Sequence, residues 1–237
     1  MGIVTIVISL FVLLFAITVH EAAHAWSAKK FGDPTAAALG RATLNPLAHI
    51  DPFGTILLPF LLVLIGMPAF GWAKPVPVNP YNLRDPRRDN IWISAAGPIS
   101  NLTVAFVSFV ILVILRFTST RAGEFIKATA NNLIENRGLA FPVLAPGFYP
   151  FEGLALLLFM FVLINSYLAL FNLIPIPPLD GSGVLLGILP YETAQRYERI
   201  RPFGFIIVLA LIYIGLLDIL ILPITLVLGI ILGGPQL

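Results

Sequence analysis

His20, Glu21 and His24 are the residues whose types and spacing could do chemistry. They lie in "FAITVHEAAHAWSAKKFG", Phe15 to Gly32, directly after the uncharged run Ile3 to Val19. Residues at i and i+4 share one helix face, so the two imidazoles point at one place with Glu21 beside them. His-Glu-x-x-His on a helix binds Zn2+ through its histidines and uses the glutamate as general base. The metal matters because bulk water is a poor nucleophile. Zinc lowers the pKa of water to about 7 and polarises the scissile carbonyl. The competing reading is two histidines that only pack against neighbouring helices. The chain has three histidines in all, and two of them fall four apart around a glutamate. Ionisable residues at membrane depth are costly and point to function by default.

A catalytic zinc keeps three protein ligands and an open fourth position. The third ligand must come from elsewhere in the chain, and His49 and Asp180 are the candidates. His49 sits in a loop with Asn45, Pro46 and Asp51, where capping or facing substrate is an ordinary role. Asp180-Gly181 reads as a turn dipeptide. Yet Asp180 follows an apolar span, inside the Pro-rich "NLIPIPPLDGSG" that resists regular helix. Broken backbone at membrane depth normally lines a site. The chemistry favours Asp180 and leaves His49 open.

The elements around these residues belong to a membrane protein. Of 237 residues, 58% are hydrophobic and 11% charged, against about 25% charged in soluble domains. Cysteine is absent, which excludes disulfides, thiol nucleophiles and Cys-based metal sites. A net charge of +2, with basic residues scattered among loops, does not suggest nucleic acid. Five apolar stretches stand out: Ile3 to about Trp26, Phe53 to Phe70, Ile91 to Leu115, Leu154 to Leu173, and Phe203 to Gly234. A helical span needs about 20 apolar residues. The first, third and fourth qualify. The first lacks a basic leader and ends in polar residues, so it is expected to be a retained span rather than a signal peptide. The second is short and broken by Pro59 and Pro68; the last is long and contains Asp218 and Pro223. The connections are too short for a sizeable soluble domain, and Arg116 to Gly153 is expected to fold over the surface.

Topology discriminates between two arrangements. If Phe53 to Phe70 crosses the membrane, His20 and Asp180 end on opposite sides and cannot share a metal. If it dips in and returns, they end near one face. The return places ten basic residues on one side, from Lys29, Lys30, Arg41 and Lys74 through Arg84, Arg87 and Arg88 to Arg196, Arg199 and Arg201. Arg116, Arg121, Lys127 and Arg137 fall on the other. A full crossing splits them seven and seven. The ten belong in the cytoplasm, with the N-terminus outside. His20 then lies about 25 Å along its helix, inside the bilayer and nearer the cytoplasmic face.

Other polar residues lie within the spans. Gly97 and Asn101, in "AAGPISN", are one turn apart, where a small residue and an amide serve close helix packing. Asn165 and Asn172 share a face of the fourth stretch. Asn172 could point into the Asp180 cavity and donate to a developing oxyanion; Asn165 reads as packing. Asp218 reads as a hinge near the interface. Thr35 to Ile50 has no helical period and could pair as an extended segment with substrate.

"HEAAH", "GPISN" and "NLIPIPPLDG", in this order, resemble the site-2 protease family of intramembrane zinc metalloproteases, peptidase family M50. "GRATLNPLAHIDPFGT" and "GWAKPVPVNPYNLRDPRRD" look like its compact branch without PDZ or CBS domains. The resemblance implies His20, His24 and Asp180 as ligands of one Zn2+ per chain, and Glu21 as catalytic base. It implies Asn172 as a substrate or oxyanion residue, and Gly97 and Asn101 as the core Gly-x-x-x-Asn element. It also implies transmembrane protein substrates such as anti-sigma-factor-like regulators.

The expected protein is an all-α polytopic bundle of about 4–6 transmembrane helices in the cytoplasmic membrane, with a re-entrant segment and room for a small membrane-associated β-hairpin. It is one domain over 1–237, with its core at 3–189 and a C-terminal membrane segment at 203–234. The expected function is a zinc endopeptidase acting on transmembrane segments, in contact with lipid and not nucleic acid. The alternative is a non-catalytic membrane metal-binding protein, a transporter or pseudoprotease. A di-iron oxidase is disfavoured, since three histidines are too few.

Overall fold

The computed structural model describes residues 3–64, 71–135 and 148–233. The apolar runs fold as α-helices, which satisfy every backbone group internally where no water is available. The helices are α1 (Ile3–Lys30), α2 (Thr35–Ala38), α3 (Leu58–Leu64), α4 (Pro86–Thr118), α5 (Thr120–Glu135), α6 (Pro150–Asn172), α7 (Asp180–Ile188), α8 (Tyr191–Glu198), α9 (Gly204–Tyr213) and α10 (Leu216–Leu232). By length and apolarity α1, α4 and α6 can each cross a membrane. The segments 191–213 and 218–232 are bent by 56° and make a fourth crossing if they form one span. No strand occurs among the described residues, so the anticipated hairpin has no counterpart there; Thr35–Ala38 is helical instead.

Helix α4 is the hub and packs against α1, α5, α6 and α7. It starts at a cap, where Asp85 Oδ1 accepts from the Arg88 N–H at 3.1 Å and Pro86 occupies the first turn. Its far half joins α5, α6 and α10 around Leu112, Ile126, Phe159 and Leu228. The expected surface connection after Arg116 therefore contains a packed helix. In α5, Ala122, Ile126, Thr129, Ala130 and Leu133 are buried at helical spacing, a period masked by the charged and amide residues between them. Val7, Phe11, Phe106 and Ile114 face outward, as a lipid-facing surface requires.

The break in the C-terminal segment falls at Gly215, whose φ is 94°, a left-handed conformation that glycine adopts readily. Asp218 is not itself the break. It lies in the first turn of α10, where a carboxylate complements the helix dipole. Pro223 is accommodated inside the same helix.

The second stretch forms a wide turn, Pro52–Leu57, followed by α3. These thirteen residues are fewer than a span needs. By Trp72 the chain is again beside the start of the stretch. The Trp72 N–H donates to Gly54 O at 3.1 Å, and Thr55 Oγ1 donates to Trp72 O at 2.8 Å. The Lys74 N–H donates to His49 O at 2.9 Å. Residues 65–70, the rest of that stretch, lie outside the described residues.

Asp33 ties the end of α1 to the entry of α4. It is fully buried. Its Oδ1 accepts from the Thr35 N–H at 3.1 Å and from Asn82 Nδ2 at 2.9 Å, and its Oδ2 accepts from the Asn79 N–H at 2.7 Å. Burial opposes ionisation, but the donors from Asn82, Thr35 and Asn79 outweigh it and hold the pKa down from 3.8 to about 2. A depressed pKa stabilises the fold above the unfolded value near 4, and that contribution is lost as pH falls towards 2. Asp33→Asn should therefore lower the melting temperature in detergent at neutral pH, with the deficit shrinking between pH 4 and 2. A deficit independent of pH would contradict this.

Candidate metal centre

Helix α1 presents His20 and His24 from its C-terminal half, both buried, with ring centroids 4.7 Å apart. Each imidazole is oriented through Nδ1. His20 Nδ1–H donates to Asn101 Oδ1 at 2.5 Å, and His24 Nδ1–H donates to Ile93 O at 2.7 Å. Both partners are acceptors, so the hydrogen sits on Nδ1 and Nε2 keeps its lone pair for a metal. A carbonyl has two lone pairs, which lets Ile93 O serve His24 as well as its own helix.

Asn101 is fully buried. Its Nδ2 donates to Ala16 O at 3.0 Å and to Asn165 Oδ1 at 2.8 Å, which fixes the direction of its amide. Asn165 Nδ2 in turn donates to Phe161 O at 2.9 Å. This chain of amides links α1, α4 and α6 behind His20. Gly97 faces the histidines. A Cβ there would collide with Nε2 of both rings, so a side chain would occupy the space the ligand atoms need.

Asp180 arrives on the first turn of α7. Two features bring it there. The segment 173–179 is too rich in proline for continuous helix, and Tyr197 Oη of α8 pins it by donating to Pro175 O at 2.8 Å. Gly183 and Gly187 then let α7 lie against α4, where a Cβ would strike Ser94 at one position and Ile91 at the other. Asn90 Nδ2 donates to Gly183 O and Arg87 Nε to Gly187 O, each at 3.1 Å. Small residues permit this closeness between helices in lipid.

Asp180 Oδ2 lies 2.9 Å from His20 Nε2 and 3.3 Å from His24 Nε2. The ligand atoms of His20, His24 and Asp180 all lie within 4.8 Å of one another and could hold a metal ion. Zinc bonds of about 2.0–2.1 Å in a tetrahedron put neighbouring ligand atoms about 3.3 Å apart, so the donor set fits. Glu21 is half-buried, within electrostatic reach of His20, His24 and Asp180. His49 is excluded from the cluster; its Nε2 lies 2.9 Å from Thr43 O. Asn172 is half-buried and turned onto its own helix, donating from Nδ2 to Leu168 O at 2.9 Å. Sequence reasoning read Asn165 as packing, whereas it joins the amide chain behind His20, and it passed over Ile93 O, a backbone group without any sequence signal.

Helices of this length around such a triad define a membrane-embedded, metal-dependent hydrolase. The chain belongs to peptidase family M50, whose family model matches residues 8–215. It is 37% identical over 199 residues to YwhC of Bacillus subtilis (strain 168), a protein named as a zinc metalloprotease; the match covers 84% of this chain and 77% of that one. It is also 30% identical over 199 residues to Rip2 of Mycolicibacterium smegmatis and 28% over 198 residues to Rip2 of Mycobacterium tuberculosis (strain ATCC 25618 / H37Rv). Both Rip2 proteins are named as zinc metalloproteases, and the match covers 64% and 63% of their lengths. No solved structure matches. The protein is an intramembrane zinc metalloprotease.

Gly97→Ala should abolish zinc binding while leaving helical content intact, measured by metal analysis and circular dichroism. Asn101→Ala should weaken zinc roughly 10–100-fold by releasing His20. Full zinc content in Gly97→Ala, at unchanged helicity, would contradict the assigned geometry.

Proposed function

We propose that this protease hydrolyses peptide bonds within or beside transmembrane segments of membrane-bound regulators, with His20, His24 and Asp180 holding zinc and Glu21 acting as base. The observation that carries this reading is the convergence of two imidazoles and a carboxylate beside Glu21, on a helix apolar enough to cross a bilayer. Zinc held there supplies Lewis acidity, polarising the scissile carbonyl and acidifying water. The rest of the chemistry belongs to the chain. The Glu21 carboxylate takes a proton from the attacking water and delivers it to the departing amine nitrogen. Asn101 and Ile93 O keep the two imidazoles in the tautomer that bonds a metal. Asn172 contributes a donor towards the oxyanion once its bond to Leu168 O is released.

The return of the chain to Gly54 and Thr55 at Trp72 supports a re-entrant second stretch, and with it a cytoplasmic placement for Lys29, Arg84 and the other loop cations. The N-terminus is then extracytoplasmic, the membrane is the cell membrane, and cleavage occurs near its cytoplasmic side. A helical peptide bond is shielded by its own hydrogen bonding, so substrate must unwind locally before it is cut. Anti-sigma-factor-like regulators are the substrate class that the family resemblance suggests.

Glu21→Gln should retain zinc, bind a transmembrane substrate and fail to cleave it. Substrates trapped by this variant in native membranes should be identifiable by mass spectrometry as single-span proteins. Normal cleavage by Glu21→Gln would contradict the assigned base.

A further inference from the structure

Helix α7 has nine residues and so carries the chain about 13 Å away from Asp180. Helix α9 then begins a new apolar run. The elbow between them, residues 188–203, therefore lies at the edge of the bilayer. Ile188, Tyr191, Ile200 and Phe203 are exposed there. Arg196, Arg199 and Arg201 are exposed among them. Apolar side chains interleaved with arginines suit a segment that lies in the headgroup layer, its apolar groups in the acyl boundary and its guanidiniums above.

More cations adjoin the elbow. Arg87 Nε donates to Gly187 O at 3.1 Å, which sets the start of α4 beside the end of α7. Arg84, Arg87 and Arg88 are all exposed. Among the described residues, Arg201 alone of these six arginines pairs with a carboxylate, Glu198 Oε1 at 3.3 Å. Arg196 and Arg199 have no anionic partner within the protein, and anionic headgroups complement them.

The elbow is also joined to the metal centre. Ala194 and Tyr197 are the half-buried residues of α8, and its others are exposed. Tyr197 Oη donates to Pro175 O at 2.8 Å. Gly204, just past the elbow, lies so close to the same segment that a Cβ would collide with Pro177 O. The Pro-rich segment is thus held at two points shortly before Asp180.

We propose that the elbow is a docking surface for anionic phospholipid headgroups, with Arg196 and Arg199 as its principal contacts, and that the docked elbow steadies Asp180 through Tyr197. A zwitterionic headgroup carries the same phosphate beside its own cation, so a lipid of net negative charge is preferred. The steadying rests on Asp180 being a zinc ligand; the lipid contact does not.

Spin-labelled phosphatidylglycerol and phosphatidylcholine, compared by electron paramagnetic resonance on the full chain in a phosphatidylcholine bilayer, test the docking. The wild-type protein should retain phosphatidylglycerol preferentially. The double variant Arg196→Gln/Arg199→Gln should keep its melting temperature in detergent and lose preference by up to roughly 5-fold per arginine. Lys29→Gln/Lys30→Gln removes equal charge from the end of α1 and should lower the preference less. Equal retention of both lipids by the wild-type protein, or equal losses in the two double variants, would overturn the docking surface. The rate of zinc release to a chelator tests the coupling. It should be roughly 10-fold slower in bilayers containing phosphatidylglycerol than in phosphatidylcholine alone. Tyr197→Phe should keep the lipid preference and lose that difference, whereas simple accumulation of Zn2+ at an anionic surface would act on both proteins alike. One release rate in both bilayers, or the wild-type lipid dependence in Tyr197→Phe, would overturn the coupling. If the protein takes up no zinc, the role of Asp180 as ligand fails instead, and the resonance measurement still decides the docking.

Discussion

Two imidazoles from one helix and a carboxylate 160 residues later meet within hydrogen-bond distance at membrane depth. The rest of the structure follows from keeping that meeting possible. Three ionisable groups in such surroundings are costly unless each is paired or bonded. Every packing feature near them either supplies a partner or removes an obstacle.

The partners come from the central helix. Asn101 and the carbonyl of Ile93 both lie on α4, and both take an Nδ1 hydrogen, so one helix sets the tautomer of two ligands. Asn101 is itself held by Ala16 O and Asn165, which extends the same hydrogen-bonded chain into α1 and α6. Obstacles are removed by glycine. Gly97 leaves room for the rings, while Gly183 and Gly187 let α7 approach α4 so that Asp180 reaches them. The apolar packing of α4, α5, α6 and α10 sits away from this polar core and braces it.

Much of the site was legible in the sequence because metal ligation has a spacing. His20 and His24 obey the helical repeat and Glu21 follows from the motif, whereas the chemistry favoured Asp180 but left His49 open, and the family resemblance chose between them. Gly97 and Asn101 were recognised as core residues, but the tautomer-setting role of Asn101 needed coordinates. Asn165 and Asn172 share a face, and spacing alone could not say that Asn165 is the one level with His20. Ile93 acts through its backbone and leaves no trace in composition. The packed helix α5 was obscured because Glu124, Lys127, Asn131 and Asn132 dilute its apolar period. The C-terminal break was sought at Asp218 and Pro223, whereas a left-handed glycine three residues before the aspartate supplies it.

One requirement joins the site to the whole chain: the second stretch must return to the side it entered from, or Asp180 cannot face His20. The bonds from Trp72 to Gly54 and Thr55 are what such a return looks like locally. The most direct measurement is the accessibility of single cysteines placed at Lys30, Arg84 and Lys127, all exposed, to a membrane-impermeant reagent in oriented membrane vesicles. Lys30 and Arg84 positions should label from the same side and Lys127 from the other. Labelling of the Lys30 and Arg84 positions from opposite sides would contradict the account.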